Sequence, residues 1–172
     1  MSPRAVISLR LWLIALTVAC SLPVAAQQAY ALSGQPAPDF ALHATMGDNV
    51  RLSEHRGDVI VLSFWSSRCN PCRAQLAALD RSLATYRSAG LTIYGVGVDD
   101  DQDKSLEFAR SVHVSFPLLL DPEKTAGRSY QVDNLPMTVL IDRNGTVRHT
   151  LRDYNGVSAE LYLQQLRELL NE

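Results

Sequence analysis

Apolar residues along the chain fall into two dominant patterns. Val59-Ile60-Val61-Leu62-Ser63-Phe64-Trp65 and Leu91-Thr92-Ile93-Tyr94-Gly95-Val96-Gly97-Val98 are near-continuous apolar and β-branched runs. Such runs are expected of strands buried on both faces. Between them Leu76, Leu79, Leu83 and Tyr86 recur at steps of three and four. That stripe predicts a helix from Pro71 to about Ala89, closed by Gly90 where a helix C-terminus favours glycine. Upstream, Asp39–His43 and Asn49–Leu52 are short strand candidates joined by a turn around Met46-Gly47-Asp48. Downstream, the pattern predicts a helix from about Lys104 to Val112 and a short one over 123–130. A strand over Thr138–Ile141 turns at Asp142-Arg143-Asn144-Gly145 into a partner over Thr146–Leu151. A last helix, capped by Ser158, runs through Leu170 with Leu161, Leu166, Leu169 and Leu170 on its buried side. This alternation predicts an α/β domain, a mixed central sheet flanked by helices on both faces. The acidic run Asp99–Asp103 reads as the cap of the helix at Lys104. A metal loop would need glycine-punctuated ligand spacing, which the run lacks.

The first residues follow a different pattern. Arg4 and Arg10 precede an apolar run from Leu11 to Leu22, Pro23 breaks it, and Val24-Ala25-Ala26 supplies small residues; no acid occurs before Asp39. This is the anatomy of a secretory signal peptide over 1–26, followed by a lead-in over 27–35 and a domain over 36–172. The run is shorter than the roughly 20 residues of a membrane span. Ala29-Tyr30-Ala31 is a rival cleavage point, and Ala19-Cys20 leaves open a lipidated cysteine, although Thr17 stands where such signals usually carry leucine. The 172 residues are 47% hydrophobic and 20% charged, which excludes a disordered chain. Their net charge of −2 gives no basic footprint for nucleic acid.

Loss of residues 1–26 removes Arg4, Arg10 and Cys20. The remaining 146 residues carry 14 basic and 18 acidic side chains and two cysteines, Cys69 and Cys72. The Cys69-Asn70-Pro71-Cys72 motif lies at the end of a predicted buried strand and the start of a predicted helix. Helix N-termini carry unsatisfied N–H groups and partial positive charge. A thiolate there falls below its ordinary pKa of about 8.5, and about 2 kcal/mol of stabilisation would bring it to about 7. Arg68 and Arg73 add positive charge. Cys69 is therefore the expected attacking thiolate, and Cys72, one turn further in, the resolving thiol. Pro71 suits an early helix position, where its missing N–H is not needed. A structural zinc site would need a second ligand pair, and His43, His55, His113 and His149 are scattered. A purely structural disulfide closing so small a loop would add little. A peroxidatic cysteine would need an upstream proline and hydroxyl; Ser66 fits, but Leu62 stands at the proline position. A redox dithiol remains the favoured reading.

Beyond the dithiol, Ala37-Pro38-Asp39-Phe40, Leu52-Ser53 with Arg56-Gly57, Phe64-Trp65, Asn70-Pro71-Cys72-Arg73, Leu135-Pro136-Met137-Thr138, and Leu140-Ile141-Asp142 with Gly145 together resemble the TlpA/ResA-like exported thiol–disulfide oxidoreductases. The resemblance implies a thioredoxin-like fold with an N-terminal β-hairpin extension. It implies catalytic Cys69 and Cys72, with client contacts at Trp65, Arg68, Asn70, Pro71, Leu135 and Pro136, and Pro136 as a cis-proline facing the dithiol. The backbone of Leu135 would then be free to pair with an extended client segment. It further implies a periplasmic reductase needing no metal or cofactor. Its partners would be client proteins with disulfides, in cytochrome c maturation or copper-site assembly, and a membrane electron donor of the DsbD/CcdA type. A disulfide-forming oxidase and a Sco-like copper chaperone stay open as alternatives. Four positions depart from the relatives: Arg68 replaces an aromatic residue, Ser63 stands where thioredoxin has a buried acid, Gln75 where many relatives have Glu, and Ala77 where they often have proline. Neither of those two acids is present to accept a proton from Cys72.

Overall fold

The computed structural model describes residues 32–172. The expected signal peptide, its alternative Cys20 lipidation site and residues 27–31 of the lead-in lie outside the described residues. The chain order is β1 (Ala41–Ala44), β2 (Val50–Arg51), β3 (Val59–Trp65), α1 (Asn70–Tyr86), β4 (Leu91–Gly97), α2 (Gln102–Ser111), β5 (Leu118–Leu120), α3 (Thr125–Ser129), β6 (Met137–Ile141), β7 (Val147–Leu151) and α4 (Gly156–Leu170). The strands form one sheet of order β2-β1-β5-β4-β3-β6-β7. The pairs β3–β4 and β4–β5 are parallel, while β1–β2, β1–β5, β3–β6 and β6–β7 are antiparallel. This is a thioredoxin-like fold, with the β1–β2 hairpin continuing the sheet through β5.

Strand alternation divides the core into two layers. Val59, Val61 and Trp65 of β3 face α1, α2 and α4, where Leu76, Leu79, Leu83, Phe108, Leu166 and Leu169 are buried. Ile60, Leu62 and Phe64 face the other way, against Phe40, Leu52, Ala126 and Tyr130. Every residue of β3 is buried, which explains its unbroken apolar run. Among the described residues no helix is long and apolar enough to cross a membrane.

Several local expectations change. Residues 32–35, expected as lead-in, are tied to β7: Gly34 N donates to Val147 O at 2.7 Å, and Val147 N to Gln35 O at 2.9 Å. Asp39 lies before β1; its carboxylate accepts from Ser53 N at 2.9 Å and Ser53 Oγ at 3.0 Å. The sequence pattern missed β5. Three leucines after Phe116-Pro117 show no alternation, and only pairing between β4 and β1 makes them a strand. The cap of α4 is Asn155, with Ser158 as the reciprocal member of a capping box. Leu161 is 43% exposed and leaves the buried side of that helix.

Candidate active site

β3 ends at Trp65, and the loop Ser66–Arg68 leads into α1 with Cys69 as the residue capping it in extended conformation. The loop closes on itself: Cys69 N donates to Ser66 O at 3.1 Å, and Cys72 N to Cys69 O at 3.2 Å. Asn70 and Pro71 occupy the exposed first positions of the helix. Cys69 is half-buried and Cys72 fully buried, and the two are joined as a disulfide with Cα atoms 5.4 Å apart. One sulfur is thus reachable from solvent and the other is shielded, the asymmetry that attack and resolution need.

The antiparallel register of β3 and β6 pairs Phe64 with Met137. It therefore brings Leu135 and Pro136 beside the end of β3 from which the dithiol loop departs. The Leu135–Pro136 peptide bond is cis. Pro136 is buried and Leu135 half-buried, and Leu135 precedes the β6 ladder, which starts at Met137. Cys69, Arg68 and Leu135 line one open groove of about 690 Å³, together with Lys124, Arg128 and Gln131 from α3 and its flanks.

The match to the AhpC/TSA family covers residues 33–150. The chain belongs to the AhpC/TSA family. Within it, a thiol–disulfide oxidoreductase ResA from Geobacillus kaustophilus is 33% identical over 118 residues, 69% of this chain and 68% of the relative. A Chlorobium tepidum protein assigned as a thiol:disulfide interchange protein DsbE superposes with a TM-score of 0.76 at 33% identity, over 80% of this chain and 97% of the other. A Bacteroides thetaiotaomicron protein assigned as a protein disulfide isomerase gives 0.73 at 33% identity, over 81% and 91%. With this fold and the Cys69–Cys72 pair, the chain is a thiol–disulfide oxidoreductase.

Three expected roles change in this frame. Trp65 is fully buried and presents no surface to a client. Its indole stacks on Phe108 with ring centroids 4.8 Å apart and occupies the space left by Gly95 and Gly97, where an added Cβ would approach it to 3.1 and 2.7 Å. Trp65 is thus the floor beneath the dithiol loop. Arg73 is committed to α2: it donates to Ser111 O and Oγ, both at 2.9 Å, and its guanidinium lies 4.8 Å from the Phe108 centroid. Arg68, exposed, remains the cation next to Cys69. Asp101 alone of the acidic run caps α2, accepting from the N–H groups of Asp103 and Lys104. Asp99, 5% exposed, instead accepts from Ser67 N at 2.8 Å, Ser67 Oγ at 2.9 Å and Ser105 Oγ at 2.8 Å. It ties the loop before Cys69 to the ends of β4 and α2. Nothing in the local sequence pairs Asp99 with Ser67, 32 residues earlier.

Behind the dithiol, Gln75 lies one turn beyond Cys72 on the buried side of α1. Ser63 Oγ donates to Gln75 Oε1 at 3.0 Å, and Gln75 Nε2 donates to Thr138 Oγ1 at 2.8 Å. Where thioredoxin or other relatives would place an acid, this protein has a satisfied, uncharged chain across β3, α1 and β6. Gln75 and Thr138 also line a cavity of about 430 Å³ between α1 and α4. Tyr162 opens into it; its hydroxyl is buried, and burial holds it well above its ordinary pKa, with Ser82 beside it acting in the opposite direction.

Proposed function

We propose that this protein acts as a reductase of disulfides in exported proteins, outside the cytoplasm, after loss of the segment 1–26. The observation that carries the reading is the asymmetric dithiol. Cys69 opens onto a groove that also exposes Leu135, while Cys72 is sealed behind it. The Cys69 thiolate attacks one sulfur of a client disulfide, forming a mixed disulfide and releasing the other client sulfur as a thiolate. Cys72 then gives up its proton to solvent and attacks the Cys69 sulfur. The Cys69–client bond breaks, the Cys69–Cys72 disulfide forms, and the second client sulfur leaves as a thiolate that takes up a proton. Two electrons pass from the protein dithiol to the client. A membrane dithiol carrier of the DsbD/CcdA type then restores the reduced form. An extended client strand laid beside Leu135 provides the backbone contact, with Arg68, Asn70 and Pro71 on the exposed rim. Cytochrome c haem-attachment cysteines and copper-site cysteines are the client classes that the TlpA/ResA-like resemblance supports.

The reduction potential of the Cys69–Cys72 pair, measured by equilibration with glutathione or thioredoxin, tests the direction. A value near thioredoxin's, about −270 mV, is expected; one near the oxidising extreme of about −120 mV would reverse the assignment to a disulfide-forming oxidase.

A further inference from the structure

We infer that the groove beside Cys69 selects client segments that carry acidic residues next to their cysteines; this deepens the reductase reading and rests on it. The wall of the groove holds four cations, Arg68, Lys124, Arg128 and Arg152, against two carboxylates, Asp99 and Asp133. Over the described residues as a whole the balance is the opposite, 14 basic against 18 acidic side chains. The acids at the groove are all engaged from within the protein. Asp99 is closed off by Ser67 and Ser105, and Asp133 pairs with Arg152. Asp100, beside Asp99 in the chain, pairs with Lys124 and is held below the usual carboxylate range chiefly by that bond, with Arg68 a smaller contributor. Arg68 and Arg128 are both exposed and form no salt bridge with any described residue.

These two guanidiniums belong to separate elements, the loop before α1 and the helix α3, yet line the same groove as Cys69 and Leu135. The α3 side is firmly built. Asp121, 1% exposed, accepts from Thr125 N at 2.9 Å and Gly127 N at 2.8 Å. Lys124 and Gln131, which bracket α3 and line the groove, both take a left-handed conformation with φ of 54°. Non-glycine residues rarely adopt that conformation, and it persists where the surrounding structure enforces it. A planar guanidinium matches a carboxylate with two parallel hydrogen bonds. An extended segment passing Leu135 with acidic side chains would therefore meet two cations that no salt bridge engages, and a basic segment would meet repulsion.

The test uses the reduced full-length protein and three synthetic peptides with one internal disulfide each. They are identical except for acidic, neutral or basic residues flanking the cysteines, and uncharged hydroxyethyl disulfide is the reference. Acidic peptides are expected to be reduced several-fold faster than basic ones at low salt, with the difference collapsing at about 0.5 M salt, where charges are screened within a few ångströms. Arg128→Glu is expected to invert the order of the acidic and basic peptides. Equal kcat/KM for the three peptides in the unaltered protein, or a preference for the basic one, overturns the inference while leaving the reductase reading intact. Failure to reduce hydroxyethyl disulfide and every peptide overturns the reductase reading, and the inference with it.

Discussion

Two sulfurs separated by two residues carry the chemistry, and the division of labour proposed for them rests on their unequal burial. Cys72→Ser is expected to accumulate mixed disulfides with client proteins and Cys69→Ser to trap none, as read on non-reducing gels; equal trapping by both would refute the assignment of attack to Cys69. The environment of the second sulfur is where this chain departs from its relatives. Gln75 is fixed at both ends of its amide by Ser63 and Thr138, so no charge needs to be accommodated there. Gln75→Glu would place a carboxyl in the same buried position, where burial disfavours its ionised form and raises its pKa. The decay of a Cys69 mixed disulfide, followed against pH in single-turnover experiments, is expected to gain a second ionisation in that variant. An unchanged profile would mean that position 75 is electrostatically remote from Cys72. The dithiol and its expected order of reaction were legible as residues in the sequence. The uncharged residues at 63 and 75 were legible as departures, but the bond from Gln75 to Thr138 was not, because it joins residues 63 positions apart.

At the level of elements, β4 and the β6–β7 turn show how strands position the site. β4 carries Gly95 and Gly97 on the face that meets Trp65, and a Cβ at Gly97 would lie 2.7 Å from the indole. Gly97→Ala is expected to cost about 1–3 kcal/mol, the usual range for overpacking a filled core, seen as a lowered midpoint in urea unfolding; no change would mean that the indole shifts freely. The two glycines read from sequence as part of a buried strand, and their purpose is visible only with Trp65 lying across them and Leu118 pressed against Gly95. In the turn, burial would raise the pKa of Asp142, but N–H donation from Thr146 and Asn144 and the Arg148 guanidinium outweigh it and hold the carboxyl below its ordinary range. A carboxyl lowered on folding contributes stability above its unfolded pKa and loses that contribution as pH falls through its folded pKa. Melting temperature is therefore expected to drop on acidification in the unaltered protein, with a smaller drop in Asp142→Asn. At the start of α4, Asn155→Ala is expected to cost about 1 kcal/mol, typical for loss of a cap, since Asn155 accepts from both Val157 N and Ser158 N.

Over the whole molecule, the active end of the sheet is assembled from three distant stretches: the loop after β3, the segment from β4 to α3, and the Leu135–Pro136 approach to β6. Asp99 links two of them through one carboxylate. Asp99→Ala would leave Ser67 N without its acceptor, and an unsatisfied buried donor costs about 1–3 kcal/mol. The expected outcome is a less stable protein whose Cys69 alkylates at an altered rate, because the loop carrying it is released; a stability loss without any change in alkylation would confine Asp99 to a structural role. The sequence by itself determined the strand–helix–strand unit around the dithiol, since hydrophobic periodicity and capping are local and need no partner to be read. It also marked Cys69 and Cys72, because thiol chemistry depends on residue type and on a helix N-terminus that the same periodicity places. Only the tertiary structure decided that Leu118–Leu120 is a strand, that Trp65 packs on Phe108 and across Gly95 and Gly97, that Arg73 turns to α2, and that Arg68 and Arg128 share a groove. Each of these depends on what the sheet brings alongside a residue, and contacts between remote segments leave no periodic trace in the chain.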